Sequence, residues 1–223
     1  MVSDYRGALQ RWSGGANPVT DPIILSTARL VLRPWQMSDV DAPFEWAQDE
    51  RFTRFLPLPR PYERGHAEEF TESRVGTDWS IGAAFAVTLE GALVGDVNAR
   101  IEPVHRRAEV GYGFRPAVWG SGYATEAAGA VVGWLFEALG MEKVIARTDA
   151  ANQGSWRVME RLGMEREALH RSHRVLRGER RDEVVYGLLR RDWLRESPGE
   201  MGSPEGRANT KDRTSQRPAE KRR

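Results

Sequence analysis

The sequence has no cysteine among its 223 residues and only four histidines. Without cysteine there is no disulfide framework, no thiolate nucleophile and no thiolate metal site. No run of about 18 apolar residues occurs, so we expect no membrane-spanning helix. Residues 1–17 also lack the apolar stretch of a secretory signal. These absences favour a cytoplasmic protein that does not work at a membrane.

The sequence also has little excess charge of either sign. Its formal net charge is +1, and the arginines are mixed with acidic residues along the chain. A segregated basic surface is typical of proteins that bind nucleic acid, so we do not expect nucleic acid as a partner. The basic residues 221–223 either contact phosphates or form a solubilising end.

Length and composition predict one domain. Hydrophobic residues make up 40% of the chain and charged residues 29%, which is typical of a globular protein. Residues 1–22 contain several glycines and prolines and are interpreted as a flexible lead-in. Residues 197–223 are rich in Arg, Pro and Gly and have almost no large apolar residue, which predicts a disordered tail. The folded domain is therefore expected over residues 23–196.

Hydrophobic periodicity predicts alternating strands and helices. A strand over 23–33 is followed by a helix that begins after Ser38 and is broken near Pro43. The clearest helix covers 124–139, where apolar residues recur at helical spacing, and it ends at Gly140. The other predicted elements are a helix over 62–75, an antiparallel meander of strands over 83–89, 93–101 and 108–114, a strand over 143–148, a helix over 155–162 closed by Gly163, and strands over 170–176 and 183–189 joined by a hairpin turn at 177–179.

A glycine turn stands between the last strand of the meander and the longest helix. Its sequence is Trp119-Gly120-Ser121-Gly122-Tyr123-Ala124. The first turn of a helix has backbone N–H groups without partners, and the helix dipole adds partial positive charge there. Glycines leave room for a phosphate beside these groups, and the Thr125 hydroxyl could add a contact. The alternatives are a plain tight turn, a nucleotide P-loop and a dinucleotide turn, but the last two need Gly-Lys-Ser/Thr or a third glycine where Thr125 stands.

Several motifs around this turn occur in a recognisable order. They are Leu25-x-Thr27-x-Arg29-Leu30-x-Leu32-Arg33, Glu109-Val110-Gly111-Tyr112, the glycine turn continued to Ala127, Asn152-x-x-Ser155-x-Arg157-Val158-x-x-x-Leu162-Gly163, and Val184-Val185-Tyr186-Gly187-Leu188. Together they resemble the GNAT superfamily of acetyltransferases, and within it the branch of ribosomal-protein N-terminal (Rim-type) enzymes. The resemblance implies an α/β (α+β) fold with a mixed, largely antiparallel central sheet, flanked by helices and splayed between its fourth and fifth strands.

The resemblance also implies an activity. It implies an acetyl-CoA-dependent N-acetyltransferase that acts on a primary amine, with a protein N-terminal amine as the favoured acceptor and a small-molecule or antibiotic amine next. Direct transfer is expected, because neither a cysteine nor a Ser-His arrangement is visible for an acyl-enzyme. The enzyme is expected to be a monomer or a homodimer. The alternative is a non-catalytic acyl-CoA-binding sensor.

By the same resemblance, three segments hold coenzyme A. The strand over 112–115 pairs with the pantetheine arm, the glycine turn holds the pyrophosphate, and the helix after the next strand lies near the sulfur. The implied contacts are Tyr112, Gly113, Phe114, Arg115, Trp119, Gly120, Ser121, Gly122, Tyr123, Ala124, Thr125, Asn152 and Ser155. For Asn152 the alternative is an N-cap of that helix.

Two residues are candidates for the proton transfers. An amine can attack a thioester only as its ammonium loses a proton, and Glu109 is the candidate base, acting directly or through water. Its alternative is a strand carboxylate paired with Arg106 or Arg107. Ser155 is the candidate that protonates the departing thiolate, a role that water could also fill.

Histidine and tryptophan give two further predictions. His170 and His173 would point to opposite faces of a strand, so we predict no metal site. Trp35, Trp46 and Trp79 lie where the resemblance implies an acceptor pocket. They either line an aromatic cleft or serve as core anchors.

Overall fold

The computed structural model describes residues 21–196, except for the side chain of residue 196. The lead-in predicted over 1–22 lies outside this range apart from its last two residues, and the tail predicted over 197–223 lies wholly outside it. None of the helices within the described range is long and apolar enough to cross a membrane.

One sheet organises the described residues. Its strands are β1 (Leu25–Ser26), β2 (Leu30–Pro34), β3 (Gly82–Leu89), β4 (Ala92–Glu102), β5 (Arg107–Phe114), β6 (Lys143–Asp149), β7 (Glu165–Leu176) and β8 (Glu179–Leu189). Their order across the sheet is β1-β2-β3-β4-β5-β6-β8-β7. Neighbouring strands are antiparallel except β5 and β6, which are parallel. The prediction of a mixed, largely antiparallel sheet is confirmed.

Helices cover both faces of this sheet. They are α1 (Asp41–Ala47), α2 (Glu50–Thr53), α3 (Arg64–Val75), α4 (Tyr123–Glu137), α5 (Gln153–Arg161) and α6 (Arg190–Glu196). Strand β3 shows why two layers are needed, because alternate residues of a strand point to opposite faces. Phe85 and Val87 are fully buried in the main core with α4, whereas Ala84 and Ala86 pack on the other face with Trp35 and with Phe70 of α3.

Aromatic residues form the centre of the main core. Phe85 lies edge-on to Trp134 of α4, with ring centroids 5.8 Å apart, and Trp79 lies edge-on to Phe85 at 5.1 Å. Burying a side chain such as Phe85 contributes about 1.5 to 3 kcal/mol. Trp79 is therefore a core anchor and does not line a cleft. Trp35 is also buried and packs edge-on against Phe70 at 5.6 Å.

Strands β5 and β6 separate soon after they meet. Only three residue pairs join them, ending at Glu109 and Ile145. Beyond that point β5 continues to Phe114 and β6 to Asp149 without pairing with each other. This is the predicted opening. It lies between the fifth and sixth strands because the single strand predicted over 23–33 is two strands, joined by a turn in which Thr27 N–H donates to the Leu30 carbonyl at 2.9 Å.

The first helix also differs from its prediction. Ser38 lies in a 3-10 turn over Met37–Asp39 and is not a helix N-cap. Pro43 does not break the helix, because it is the third residue of α1, where its missing N–H removes no helical hydrogen bond.

Candidate active site

The glycine turn and the start of α4 form one part of the site. Gly120 and Gly122 have φ of +81° and +82°, a left-handed conformation that glycine adopts readily. Gly122 is the N-cap of α4, and the Glu126 N–H donates to its carbonyl at 3.0 Å. The N–H groups of residues 123–125 therefore precede the helical ladder and can donate to a ligand.

The surroundings of these N–H groups fit a phosphate. A Cβ added at Gly120 would meet no atom within 4 Å, so the space in front of this residue is open. The Thr125 hydroxyl is buried and has no hydrogen-bond partner among the described residues, and Thr125 lines the same cavity as Gly120. Helix-terminal donors, an unpartnered hydroxyl and open space match the chemistry of the coenzyme A pyrophosphate.

An ion pair between buried Glu126 and partly exposed Arg29 holds the turn in place. Glu126 is only 6% exposed. It accepts hydrogen bonds from Thr27 Oγ1 at 2.6 Å and from Arg29 Nε at 2.6 Å. Arg29 Nη1 also donates to the Ser121 carbonyl at 3.1 Å. From the sequence, Thr27 and Arg29 were predicted only as part of a strand motif, because no local pattern shows that they contact Glu126 in α4.

A cavity of about 780 Å³ extends from this turn past the end of β5 to the start of α5. We call it the donor cavity. Most of the predicted coenzyme A contacts line it: Tyr112, Gly113, Phe114, Trp119, Gly120, Gly122, Tyr123, Ala124, Thr125, Asn152 and Ser155. Arg115 and Ser121 do not line it. The Arg115 N–H donates to the Val94 carbonyl, and the Ser121 carbonyl accepts from Arg29.

A second cavity, of about 320 Å³, lies between helices α1–α3 and strands β4–β6. We call it the acceptor cavity. Its aromatic lining consists of Trp46, Phe52, Phe55, Tyr62, Phe70 and Tyr112. The two cavities share the lining residues Phe52, Phe55, Leu56, Tyr112, Gly113, Asn152 and Ser155. They therefore meet at the opening between β5 and β6.

Two hydroxyl groups lie at this meeting point. Tyr112 Oη donates to the Ser155 carbonyl at 2.7 Å, and Ser155 Oγ lies 3.2 Å from Tyr112 Oη. Burial raises the pKa of Tyr112, so this phenol stays protonated at neutral pH. The Asn152 side chain accepts from the Ser155 N–H at 3.3 Å and caps α5. Asn152 therefore has the capping role that was its alternative, and it also lines both cavities.

Glu109 lies apart from the meeting point. It belongs to the last pair that joins β5 to β6, and it lines neither the donor nor the acceptor cavity. Its carboxylate is 3.4 Å from Arg147 Nε and 3.7 Å from Arg100 Nη2. These partners replace Arg106 and Arg107, the cations expected from the sequence. Its role as the base remains a prediction.

A second carboxylate, which was not predicted from the sequence, lines the acceptor cavity. Asp96 lies on β4 and is 8% exposed. Its Oδ1 would be 3.0 Å from a Cβ added to Gly113, so the carboxylate lies over the backbone of β5. Burial raises the pKa of Asp96, and Arg74 opposes this rise. The alternation of polar residues along β4 was the only signal in the sequence.

The prediction that His170 and His173 point apart is wrong. The register of β7 against β8 shifts between His170 and Arg174, and Ser172 has φ of +52°. This bulge puts both imidazoles on one side, with ring centroids 4.9 Å apart, close to Glu183. Arg174 Nη1 lies 3.6 Å from the same carboxylate, so a cation there would compete with a guanidinium.

The donor cavity runs from a phosphate cradle to an open strand edge, where it meets a second cavity. This arrangement suits an acyltransferase that presents a coenzyme A thioester to another substrate. The chain belongs to the acetyltransferase (GNAT) domain family, whose model matches residues 29–165. It is therefore an acetyltransferase, and its donor is the donor of the family, acetyl-CoA.

Named relatives agree with this assignment. The chain is 28% identical to the uncharacterized N-acetyltransferase YnaD of Bacillus subtilis, over 76% of this chain and 98% of that protein. It is 30% identical to the putative ribosomal N-acetyltransferase YdaF of the same organism, over 50% of this chain and 62% of that protein. A crystal structure of a GNAT-family acetyltransferase from Bacillus anthracis superposes with a TM-score of 0.69 at 27% identity, covering 76% of this chain and 99% of that one.

Proposed function

We propose that the enzyme transfers an acetyl group from acetyl-CoA directly to a primary amine, with the donor in the larger cavity and the amine in the smaller one. The observation that carries this proposal is the meeting of the two cavities at the opening between β5 and β6. Donor and acceptor can then lie in one ternary complex, so no covalent acyl-enzyme is needed.

The pyrophosphate of the donor is assigned to the glycine turn. The N–H groups of residues 123–125 and the Thr125 hydroxyl are its proposed hydrogen-bond donors. Arg29 and Glu126 hold this turn in position through the bond from Arg29 to the Ser121 carbonyl. Acetyl-CoA supplies an activated thioester when it is bound, and the chain's own groups orient it.

The pantetheine arm is assigned to the open edge of β5. This strand is paired with β4 along residues 107–114, but its pairing with β6 stops at Glu109. Backbone groups between Val110 and Phe114 therefore face the opening on that side, where an extended amide-containing arm can pair with them. This support is independent of side chains.

Two proton-transfer roles complete the proposal. Ser155 is assigned to protonate the departing sulfur, because its hydroxyl borders both cavities. Glu109 is the base that the family resemblance implies. It lines a third cavity that shares Val110, Gly111 and Arg147 with the acceptor cavity, and its proposed action on the amine is direct or through water. Glu109→Gln tests this role, since loss of turnover with retained coenzyme A binding would support it.

An N-terminal α-amine of a protein is the proposed acceptor. The likeness to a putative ribosomal N-acetyltransferase supports this Rim-type assignment. The acceptor cavity of about 320 Å³ is large enough for one or two amino-terminal residues. Its aromatic lining also favours a second candidate, a small amine with an apolar body.

A panel of peptides with free or blocked N-termini and of small primary amines tests the proposal. Thiol release from acetyl-CoA is measured with each. Acetylation of free but not blocked peptides supports the protein acceptor, and activity on small amines alone supports the second candidate. Coenzyme A binding without turnover on any member would favour the non-catalytic sensor.

A further inference from the structure

Asp96 lines the acceptor cavity beside Gly113 of β5. Its Oδ1 would be 3.0 Å from a Cβ on Gly113, and Gly113 lines both the donor and the acceptor cavity. A side chain at 113 would press on this carboxylate, so the glycine allows Asp96 to lie over the β5 backbone. Asp96 is therefore the carboxylate beside the strand edge proposed for the donor arm.

The hydrogen bonding of Asp96 is incomplete. Its Oδ2 accepts from Asn98 Nδ2 at 3.2 Å, and its nearest cation, Arg74 Nη2, is 3.7 Å away. Asp149 also lines the acceptor cavity, but Arg181 Nε donates to it at 2.9 Å and the Ala151 N–H at 2.9 Å. Both Asp149 oxygens accept hydrogen bonds, whereas Asp96 accepts one, at Oδ2 only, so Asp96 has the greater capacity left for a ligand.

The surroundings of Asp96 make an unpaired charge costly. Phe52 and Phe70 line the cavity with it, and burial raises its pKa above the ordinary value of 3.8. A buried carboxylate gains most from a cation that contacts it directly. The other ionisable side chains that line the cavity are Tyr62, Arg74, Tyr112, Arg147, Asp149 and Arg174. Arg147 and Arg174 lie near Glu109 and Glu183, respectively.

We propose that Asp96, in place of Glu109, binds the ammonium group of the acceptor and takes its proton. The inference rests on the proposed function and narrows its acceptor to a primary ammonium on a compact apolar or aromatic body. Trp46, Phe52 and Phe70 would contact that body. An aromatic lining also attracts an ammonium through cation–π interaction.

The transfer step removes two protons from the acceptor nitrogen and delivers one proton to the sulfur. One ammonium N–H proton moves to an Asp96 carboxylate oxygen, and the freed electron pair forms the bond from nitrogen to the acetyl carbonyl carbon. The carbon–sulfur bond breaks, and the sulfur keeps its electron pair and receives a proton from Ser155 or water. If Ser155 is the donor, it regains a proton from solvent. The amide nitrogen loses its extra proton to solvent, and Asp96 returns its own to solvent before the next turnover.

Asp96→Asn tests the assignment, with Glu102→Gln as the matched control. Glu102 lies at the end of β4 outside both cavities, in an ion pair with Arg107. For each protein, kcat/KM with phenethylamine and with a free-N-terminal peptide is measured across pH, and coenzyme A affinity is measured by calorimetry. Asp96→Ala, with and without added formate, is a second variant.

We expect Asp96→Asn to lower kcat/KM by about 100-fold or more and to remove the low-pH fall in activity, with coenzyme A affinity unchanged. Formate should restore part of the activity of Asp96→Ala, whereas Glu102→Gln should behave like the wild type. Retention of wild-type kcat/KM and of the low-pH fall in Asp96→Asn would overturn the assignment. The assignment would also be overturned if Glu109→Gln lost both the wild-type kcat/KM and the low-pH fall while Asp96→Asn kept them. A wild-type protein that acetylates no amine would instead refute the proposed function itself.

Discussion

Replacing Gly120 with alanine tests the phosphate cradle against two matched controls. Gly91 and Gly178 have φ of +84° and +82°, close to the +81° of Gly120. A Cβ at any of the three would meet no atom within 4 Å. The controls lie in the turns between β3 and β4 and between β7 and β8. The three alanine variants therefore share one backbone cost and differ in their location.

The expected magnitude follows from this geometry. A left-handed alanine costs about 1 to 2 kcal/mol. In a domain of this size each kcal/mol lowers Tm by about 2 to 4 °C, so each variant should melt roughly 2 to 8 °C lower. Only Gly120→Ala also puts a methyl group into the proposed phosphate space, and we expect its coenzyme A affinity to fall about tenfold, which corresponds to about 1.4 kcal/mol.

Calorimetric titration and thermal melts with coenzyme A measure the two effects separately. At 100 times the wild-type Kd, coenzyme A should stabilise the wild type and both controls by about 2.7 kcal/mol, but Gly120→Ala by about 1.4 kcal/mol. If Gly120→Ala and Gly178→Ala bind coenzyme A equally well, the glycine turn does not hold the pyrophosphate, and the reasoning fails.

Three further predictions concern other parts of the site. Ser155→Ala should lower kcat by about 100-fold with coenzyme A affinity nearly unchanged, as measured by kinetics at saturating acetyl-CoA. An unchanged kcat would show that water, and not Ser155, protonates the departing sulfur. Glu126→Gln should lower the free energy of unfolding by about 1 to 2 kcal/mol in urea titrations, because it removes a charge-assisted bond to a partly exposed Arg29. It should also weaken coenzyme A binding, and intact binding would show that the ion pair does not position the turn. For Asp96, folding raises the pKa, so ionisation favours the unfolded chain. The free energy of unfolding of Asp96→Asn minus that of the wild type should therefore increase as pH rises from 3.8 through the raised pKa of Asp96, and then level off. A difference that stays constant with pH would contradict this.

The glycine turn and helix α4 were predictable because their signals are local. Glycines at 120 and 122 lie in the predicted turn and have left-handed φ, and α4 follows with apolar residues at helical spacing. The meander over β3–β5 was predicted to within one or two residues, since alternation and turn residues determine it. Helix α1 was harder, because Pro43 disturbs a helix only beyond its first turn.

The carboxylates show where local signals end. Glu109 and Asp96 both lie on strands in sequence, and nothing nearby distinguishes a carboxylate held by two arginines from one beside a cavity. The difference depends on Gly113, which leaves space above β5, and on helices α1–α3, which close the cavity. These groups come together only when distant segments pack.

The sequence by itself determined the strands of the meander, helix α4 and the glycine turn that begins it, because backbone conformation and hydrophobic spacing act over a few residues. Tertiary structure alone decided the bulge that brings His170 beside His173, the contact of Arg29 with Glu126, and the meeting of two cavities where β5 leaves β6. Each of these depends on contacts between strands or helices far apart in sequence, whose geometry no short pattern encodes.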